Sequence, residues 1–434
     1  MKVLFLKKLG LDGLFVATSQ RGQIMLLIII LITVISFMLG AVLMYTGSQV
    51  LSSRNSVYKE QGLHIAEAGA ELAIWKLNNE QNYNGELNTA FGNGDIDIVV
   101  ENVGVSEKEI TVMGYIPNKE NPAIVRSVSF QTGISSDAVS FNYGVHVGEG
   151  GLEMNNGSKV IGNVFSNGNV FGGLGTITND LIVAGNGHSV DDITVNEDTI
   201  SYSCLSPAKI KGNLTYVNGG TRTCTVTGSI STQSAEIQNQ PLPILQSQID
   251  TWKSDAENGG IITGDYTITN NQSVILGPKK ITGKLTISNN STLVITGTIY
   301  VVGNILFDNN STIELDSSYG SLGGIVLSDG KVETKNNASL NGSGQEQSYI
   351  LVLSTNTANN AIVVDNNATG AIFYASAGGV ELKNNVRAKE ITGYKVKLNN
   401  NAIVEYETGL SDLNFTSGPG GSWEFIRGTY TIIK

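Results

Sequence analysis

The chain has 434 residues, room for about three compact domains or one elongated unit. Its 51 glycines, 44 asparagines and only 7 prolines, with 15% charged and 41% hydrophobic residues, exclude a disordered chain and do not describe an ordinary mixed enzyme domain. The net charge of −11 is unevenly spread: residues 1–54 carry five cations (Lys2, Lys7, Lys8, Arg21, Arg54) against Asp12, a net of +4, which leaves −15 for the rest. Such an acidic bulk repels phosphate backbones, so no nucleic-acid partner is expected.

No charged residue falls between Arg21 and Arg54, and Ile24 to Tyr45 is almost unbroken apolar sequence. At about 1.5 Å per residue this run crosses a bilayer as one helix. It exceeds the ~7 to 15 apolar residues of a cleaved secretory signal, and the sequence after it, Tyr45-Thr46-Gly47-Ser48, makes a poor cleavage site. The basic residues ahead of it hold that end in the cytoplasm, which predicts a single pass through the inner or cytoplasmic membrane with everything after Arg54 outside. Beyond the span, Ile65, Ala66, Gly69, Leu72, Ala73 and Leu77 recur at three- and four-residue steps, so the helix of residues 23–80 continues as an amphipathic rod to about Asn79. Ala66, Ala68, Gly69, Ala70 and Ala73 are small enough for close packing against it. Residues 81–135 then read as three or four antiparallel strands: Ile96, Ile98 and Val100 alternate with Asp95, Asp97 and Val99, followed by Ile110-Thr111-Val112-Met113-Gly114 and Ile124-Val125-Arg126-Ser127-Val128.

Gln20-Arg21-Gly22 ahead of the apolar run, Ala66-Glu67-Ala68-Gly69 with Ala73-Ile74-Trp75-Lys76-Leu77 behind it, and the strand ending Val112-Met113-Gly114-Tyr115 give residues 20 to 135 a family character. This region resembles a type IV pilin, most nearly the minor pilins with a PilX-type N-terminal region. The resemblance implies a leader, residues 1–22, removed by prepilin peptidase between Gly22 and Gln23. It also implies that the freed helix leaves the membrane to pack against other pilin subunits in a fibre core. Major pilins usually carry phenylalanine and glutamate where Gln23 and Leu27 stand here. In the family that glutamate pairs with the terminal amine of the subunit below, so its loss fits a priming or tip subunit. The alternative is a single-span surface anchor that is never cut.

Residues 136–434 read as a repeat. An apolar residue, any residue, two asparagines and usually a small residue recur, as in Ile287-Ser288-Asn289-Asn290-Ser291 and Val364-Asp365-Asn366-Asn367-Ala368. The first asparagines of the seven copies are Asn270, Asn289, Asn309, Asn336, Asn366, Asn384 and Asn400, spaced 19, 20, 27, 30, 18 and 16 residues apart. That is the length of one coil of a parallel β-helix, some coils carrying loops, and it predicts one solenoid from residue 142 to about 430 with roughly 12 to 14 coils. With coils about 4.8 Å apart, asparagine tolerates the left-handed backbone of the turn while its amide donates to and accepts from the copies above and below. The residue before each pair, from Thr269 and Ser288 to Lys383 and Asn399, predicts a mixed solvated stripe. The fold class is therefore mainly β: a long N-terminal α-helix, transmembrane then amphipathic, a small antiparallel sheet, and a parallel β-helix.

Around the break at Pro241-Leu242-Pro243, Ile244, Leu245, Gln248, Ile249 and Trp252 have helical spacing, predicting a bracing helix near 242–256. Cys204 and Cys224 lie one coil length apart, within reach of a disulfide between adjacent coils outside the cytoplasm. His64, His146 and His188 are isolated, and Asp308, Glu314 and Asp316 are the best acidic cluster, so no metal, cofactor or catalytic residue is assigned. Gly148-Glu149-Gly150-Gly151 lacks the strand-to-helix context and the following lysine of a phosphate loop. The expected function is a minor or tip pilus subunit that displays a β-helical surface for adhesion or assembly, with a glycan or surface as ligand. A carbohydrate-active β-helix enzyme is the remaining alternative.

Overall fold

The computed structural model describes residues 21–80, 83–103, 107–134, 136–418 and 423–433. The chain is mainly β, with one long apolar N-terminal helix, a small antiparallel sheet and large parallel sheets. Helix α1 spans Arg21–Asn79 without a break. Strands β1 (Gly85–Phe91), β2 (Gly94–Asn102), β3 (Glu107–Ile116) and β4 (Ile124–Ile134) form an antiparallel meander. The inward side of the alternation, Ile96, Ile98, Ile110, Val112, Val128 and Phe130, is buried against Ile65, Ala66, Ala70, Ala73 and Leu77 of α1.

The sheet does not end at β4. Trp423–Phe425 and Thr431–Ile433 both pair antiparallel with it, Trp423 opposite Ile134 and Ile433 opposite Ser127. The expectation that the solenoid runs to the C-terminus is thereby corrected, because the last described strands complete the small sheet. β4 pairs with β3 along one edge, and an open edge on the other would be a template for foreign strands; the C-terminal strands occupy it. The solenoid is thus an insertion between β4 and Trp423.

Most full coils contribute three short parallel strands, as in Lys279–Ile281, Leu285–Ile287 and Thr292–Ile295, while in three others the first two run on as one long strand, Val145–Asn155, Ile372–Leu382 and Glu390–Leu398. Following the first strand of each coil by its register gives the stacking order: Ile261, Lys280, Tyr300, Leu327, Leu353, Tyr374, Thr392, His146, Phe165, Ile182, Ile200, Thr215 and Ser231 mark successive levels. Among the described residues the stack comprises twelve coils and a final single strand, and its order in space differs from its order in sequence. The chain enters at Val145, in the middle of the stack, and climbs to Gln233. It returns along the outside, re-enters at Ile261 and climbs until residues 390–405 meet residues 145–161, with Ile391 opposite Val145 and Val404 opposite Val160.

The return segment has the length this path needs. Twelve levels at about 4.8 Å amount to roughly 58 Å, while twelve extended residues (234–245) and a thirteen-residue helix give about 60 Å. Its contacts descend in order. The Ile237 carbonyl accepts from Gly185 N, the Gln240 carbonyl from Asn167 Nδ2, and Ile244 bonds Tyr374 Oη. Helix α2 (Gln246–Asn258) then lays Ile249, Trp252 and Ala256 on Ile325, Leu327, Leu351 and Leu353. Strands Gly324–Ser328 and Ile350–Ser354 are consequently buried on both faces, which is why they read as continuous apolar runs.

Candidate functional site

The most distinctive surface is α1. From Ile24 to Leu51 its large apolar side chains are exposed, and none of its most apolar 18-residue stretch is buried. It is long and apolar enough to cross a membrane. The few polar side chains there are satisfied locally: the hydroxyls of Thr33, Ser36 and Thr46 donate to Ile29, Ile32 and Val42 carbonyls at 2.6, 2.8 and 2.9 Å. Arg21 to Gln23 form the first turn; residues 1–20 of the expected leader, and the side chains of Arg21 and Gln23, lie outside what the structure describes.

The second half of α1 is locked to the sheet by two glycines. A Cβ on Gly69 would sit 2.8 Å from Val112 Cγ1, and one on Gly114 would sit 2.5 Å from the Gly62 carbonyl oxygen. Only glycine permits this approach of helix to strand. The helix end is tied to the C-terminal strand, since Asn78 Nδ2 donates to the Trp423 carbonyl (3.0 Å) and Trp423 N donates to Asn78 Oδ1 (2.7 Å). Neither Asn78 nor the strand at Trp423 was singled out from sequence, because their partners lie some 345 residues apart.

On the solenoid, both members of each asparagine pair have positive φ, from 48° to 64°. The first column runs through Asn289, Asn309, Asn336, Asn366, Asn384 and Asn400, each Nδ2 donating to the preceding Oδ1 at 2.8 to 3.4 Å. Asn289 Nδ2 donates to Thr269 Oγ1 (3.0 Å) in place of Asn270. A second column, Asn271, Asn290, Asn310, Asn337, Asn367, Asn385 and Asn401, repeats the pattern at 3.1 to 3.4 Å. The first column crosses the junction between the two halves of the stack, Asn156 Nδ2 donating to Asn400 Oδ1 at 3.0 Å. Met154-Asn155-Asn156-Gly157-Ser158 is therefore a further copy, with Gly157 (φ 76°) in the second slot. The preceding stripe is polar and partly paired: Asn336 Nδ2 donates to Asp308, and Lys383 lies 3.5 Å from Asp365.

Beyond Asn156 the columns stop, and a covalent link appears instead. Cys204 and Cys224 form a disulfide with Cα atoms 5.5 Å apart, joining the last two full coils. The histidines and acids are dispersed. His64 pairs with Glu67 at 3.4 Å, His188 Nδ1 contacts the Ala184 carbonyl, and Asp316 accepts from Ser318 N. Among the described residues no group of three His, Cys, Asp or Glu side chains is placed to hold a metal ion.

Two buried titratable groups flank the junction. His146 sits between the rings of Tyr143 and Phe165 at 5.5 and 5.4 Å; burial pushes its pKa down to about 4, against a smaller upward pull from the Gln240 carbonyl. Glu390 is fully buried. It accepts from Thr392 Oγ1 at 2.6 Å, its Oε2 has no partner, and burial pushes its carboxyl well above the usual carboxylate range despite that bond.

No protein-family model matches the chain, and no curated protein matches it. Among solved structures it is similar to the competence-associated pilin ComZ from Thermus thermophilus, at 10% identity over 86% of this chain and 97% of that one, with a TM-score of 0.20. A score of that size carries no structural argument.

Proposed function

We propose that this chain is a minor or tip subunit of a type IV pilus or related fibre, which displays its inserted solenoid for adhesion or assembly. The observation that carries this reading is α1 itself: one half is an unpartnered apolar rod and the other is bolted to a small sheet by Gly69 and Gly114. Such a rod needs an apolar environment at both ends of its life, first lipid and then the equivalent rods of other pilin subunits. Prepilin peptidase would cut between Gly22 and Gln23, with the N-terminus in the cytoplasm and the solenoid outside. The insert is bulky, and Leu27 leaves no carboxylate for the bond a repeated subunit makes downward, so sparse or terminal placement fits best. The mode of action is non-covalent display, not catalysis, and glycans or surfaces are the ligands expected.

Mass spectrometry of the chain recovered from purified fibres tests the reading. A mature N-terminus at Gln23 supports it. An intact Met1 on a chain found only in the membrane fraction replaces it with the uncut anchor.

A further inference from the structure

Gly148 and Glu149, from the run Gly148-Glu149-Gly150-Gly151 that is not a phosphate loop, line a groove. The run lies within the long strand Val145–Asn155 where its pairing passes from Val164–Ser166 to Val170–Gly173, and where the registers of the neighbouring coils also slip, between Ala375 and Gly379 and between Gly393 and Lys395. Large apolar side chains are nearly absent from this stretch, with one exception. Tyr394 packs against the glycines so closely that a Cβ on Gly150 would lie 2.9 Å from its Cε1. It is nonetheless 43% exposed. The returning segment supplies the opposite wall at Asn239 to Leu242, held in place because Asn167 bonds both the N–H (2.9 Å) and the carbonyl (2.7 Å) of Gln240. The groove is open to solvent and holds about 380 Å³, room for one small ring against its wall.

The lining chemistry selects among ligands. Glu149 is exposed, Ser376 is half-buried, and among the described residues no lysine or arginine lines the groove. The neighbouring cations, Lys395 and Lys397, lie 4.0 and 3.0 Å from Glu153. A carboxylate without a basic partner repels phosphate, sulfate and uronate groups. An aromatic ring beside a carboxylate and a hydroxyl suits a sugar ring, whose C–H face sheds water against the tyrosine while its hydroxyls donate to the carboxylate.

We propose that this groove binds a neutral pyranose unit of a glycan, seated on Tyr394 with its hydroxyls on Glu149 and Ser376. The proposal rests on the display reading above for its biological setting, but the binding itself requires neither cleavage nor a fibre. The glycines are then explained: a side chain at Gly150 would press on the tyrosine ring that forms the platform, and one at Gly148 on the Tyr394 backbone beneath it.

The test applies the full-length chain in detergent micelles to a printed panel of neutral, sulfated and phosphorylated glycans, with single-stranded DNA as an added probe. Binding to neutral glycans is expected, weakened about tenfold by Tyr394→Ala and measurably by Glu149→Gln, with unchanged thermal midpoints. Binding confined to anionic glycans or DNA overturns the proposal, as does no glycan binding, or neutral binding that both substitutions leave intact. The N-terminal mass measurement is independent, so a chain processed at Gly22 that binds no glycan refutes the groove while leaving the pilin reading in place.

Discussion

The asparagine columns can be separated into a backbone contribution and a side-chain contribution at Asn337. It has φ 62°, donates to Asn310 Oδ1 at 3.1 Å and accepts from Asn367 Nδ2 at 3.3 Å. Asn337→Gly removes both ladder bonds but adopts the left-handed turn freely, as Gly157 already does in the same slot. Two exposed amide bonds at the low end of their net worth set that cost at about 1 kcal/mol. Asn337→Ala loses the same bonds and also forces a Cβ into the left-handed region, about 1 to 2 kcal/mol more, for a total of about 2 to 3 kcal/mol. Hydrogen exchange of the full chain in detergent reads the difference at the Asn310 and Asn337 amides, which donate to the Asn336 and Asn366 carbonyls at 2.9 Å. Should glycine lower protection as much as alanine, the column would be held by its side-chain bonds and the conformational account of the repeat would fail.

Reduction of the Cys204–Cys224 bond releases a twenty-residue loop and should cost about 3 kcal/mol, confined to residues 199–233 in exchange experiments; an equal loss at residues 279–340 would refute the local assignment. Glu390→Gln keeps an acceptor for Thr392 and removes the ionisable group. A carboxyl raised by folding stabilises fully below its unfolded pKa and loses that contribution as pH rises through the folded value, so the variant's melting temperature should exceed wild type by a margin that widens as the pH rises above the ordinary carboxylate range. His146 has the opposite sign. With its pKa depressed to about 4, its contribution is present above the unfolded value near 6.5 and is lost on acidification towards 4, about 3 kcal/mol in all. His146→Leu should flatten that part of the stability profile.

The elements legible in the sequence are those enforced by local backbone or periodicity. The long helix is readable from its apolar run and three- and four-residue steps, and it ends at Asn79 because both signals end there. The repeat is readable because every coil from Asn270 to Asn400 needs two successive left-handed residues, a demand asparagine meets at modest cost. Past Gly157 the turn changes, with a single residue, Leu174 or Asp192, at positive φ in place of a pair, so the period fades although the coils continue. The order of the coils leaves no local trace: a parallel strand looks the same whichever neighbour it joins, and Ile391 carries no mark that its partner is Val145. The groove was also hidden. Its glycines were visible, but Tyr394 and Gln240 reach it only through the return path of the chain.

That return path has a consequence for what the insertion can become. Entry at Val145 and exit near Glu405 lie on adjacent levels, so the small sheet meets the solenoid in its interior, where Phe141, Tyr406 and Leu410 close the junction: Tyr406 Oη donates to the Phe141 carbonyl at 2.6 Å and Phe141 N to the Leu410 carbonyl at 3.1 Å. Both growing ends, at Gln233 and Ile261, are remote from it. A coil gained or lost at either end changes the reach required of residues 234–260 by about 4.8 Å, roughly one and a half extended residues, and leaves the docking of α1 untouched. A solenoid attached by one end would instead transmit every change in length to a single tether. Attachment through the middle therefore separates the part that must fit a fixed partner, α1 with its sheet, from the part whose length and surface are free to vary.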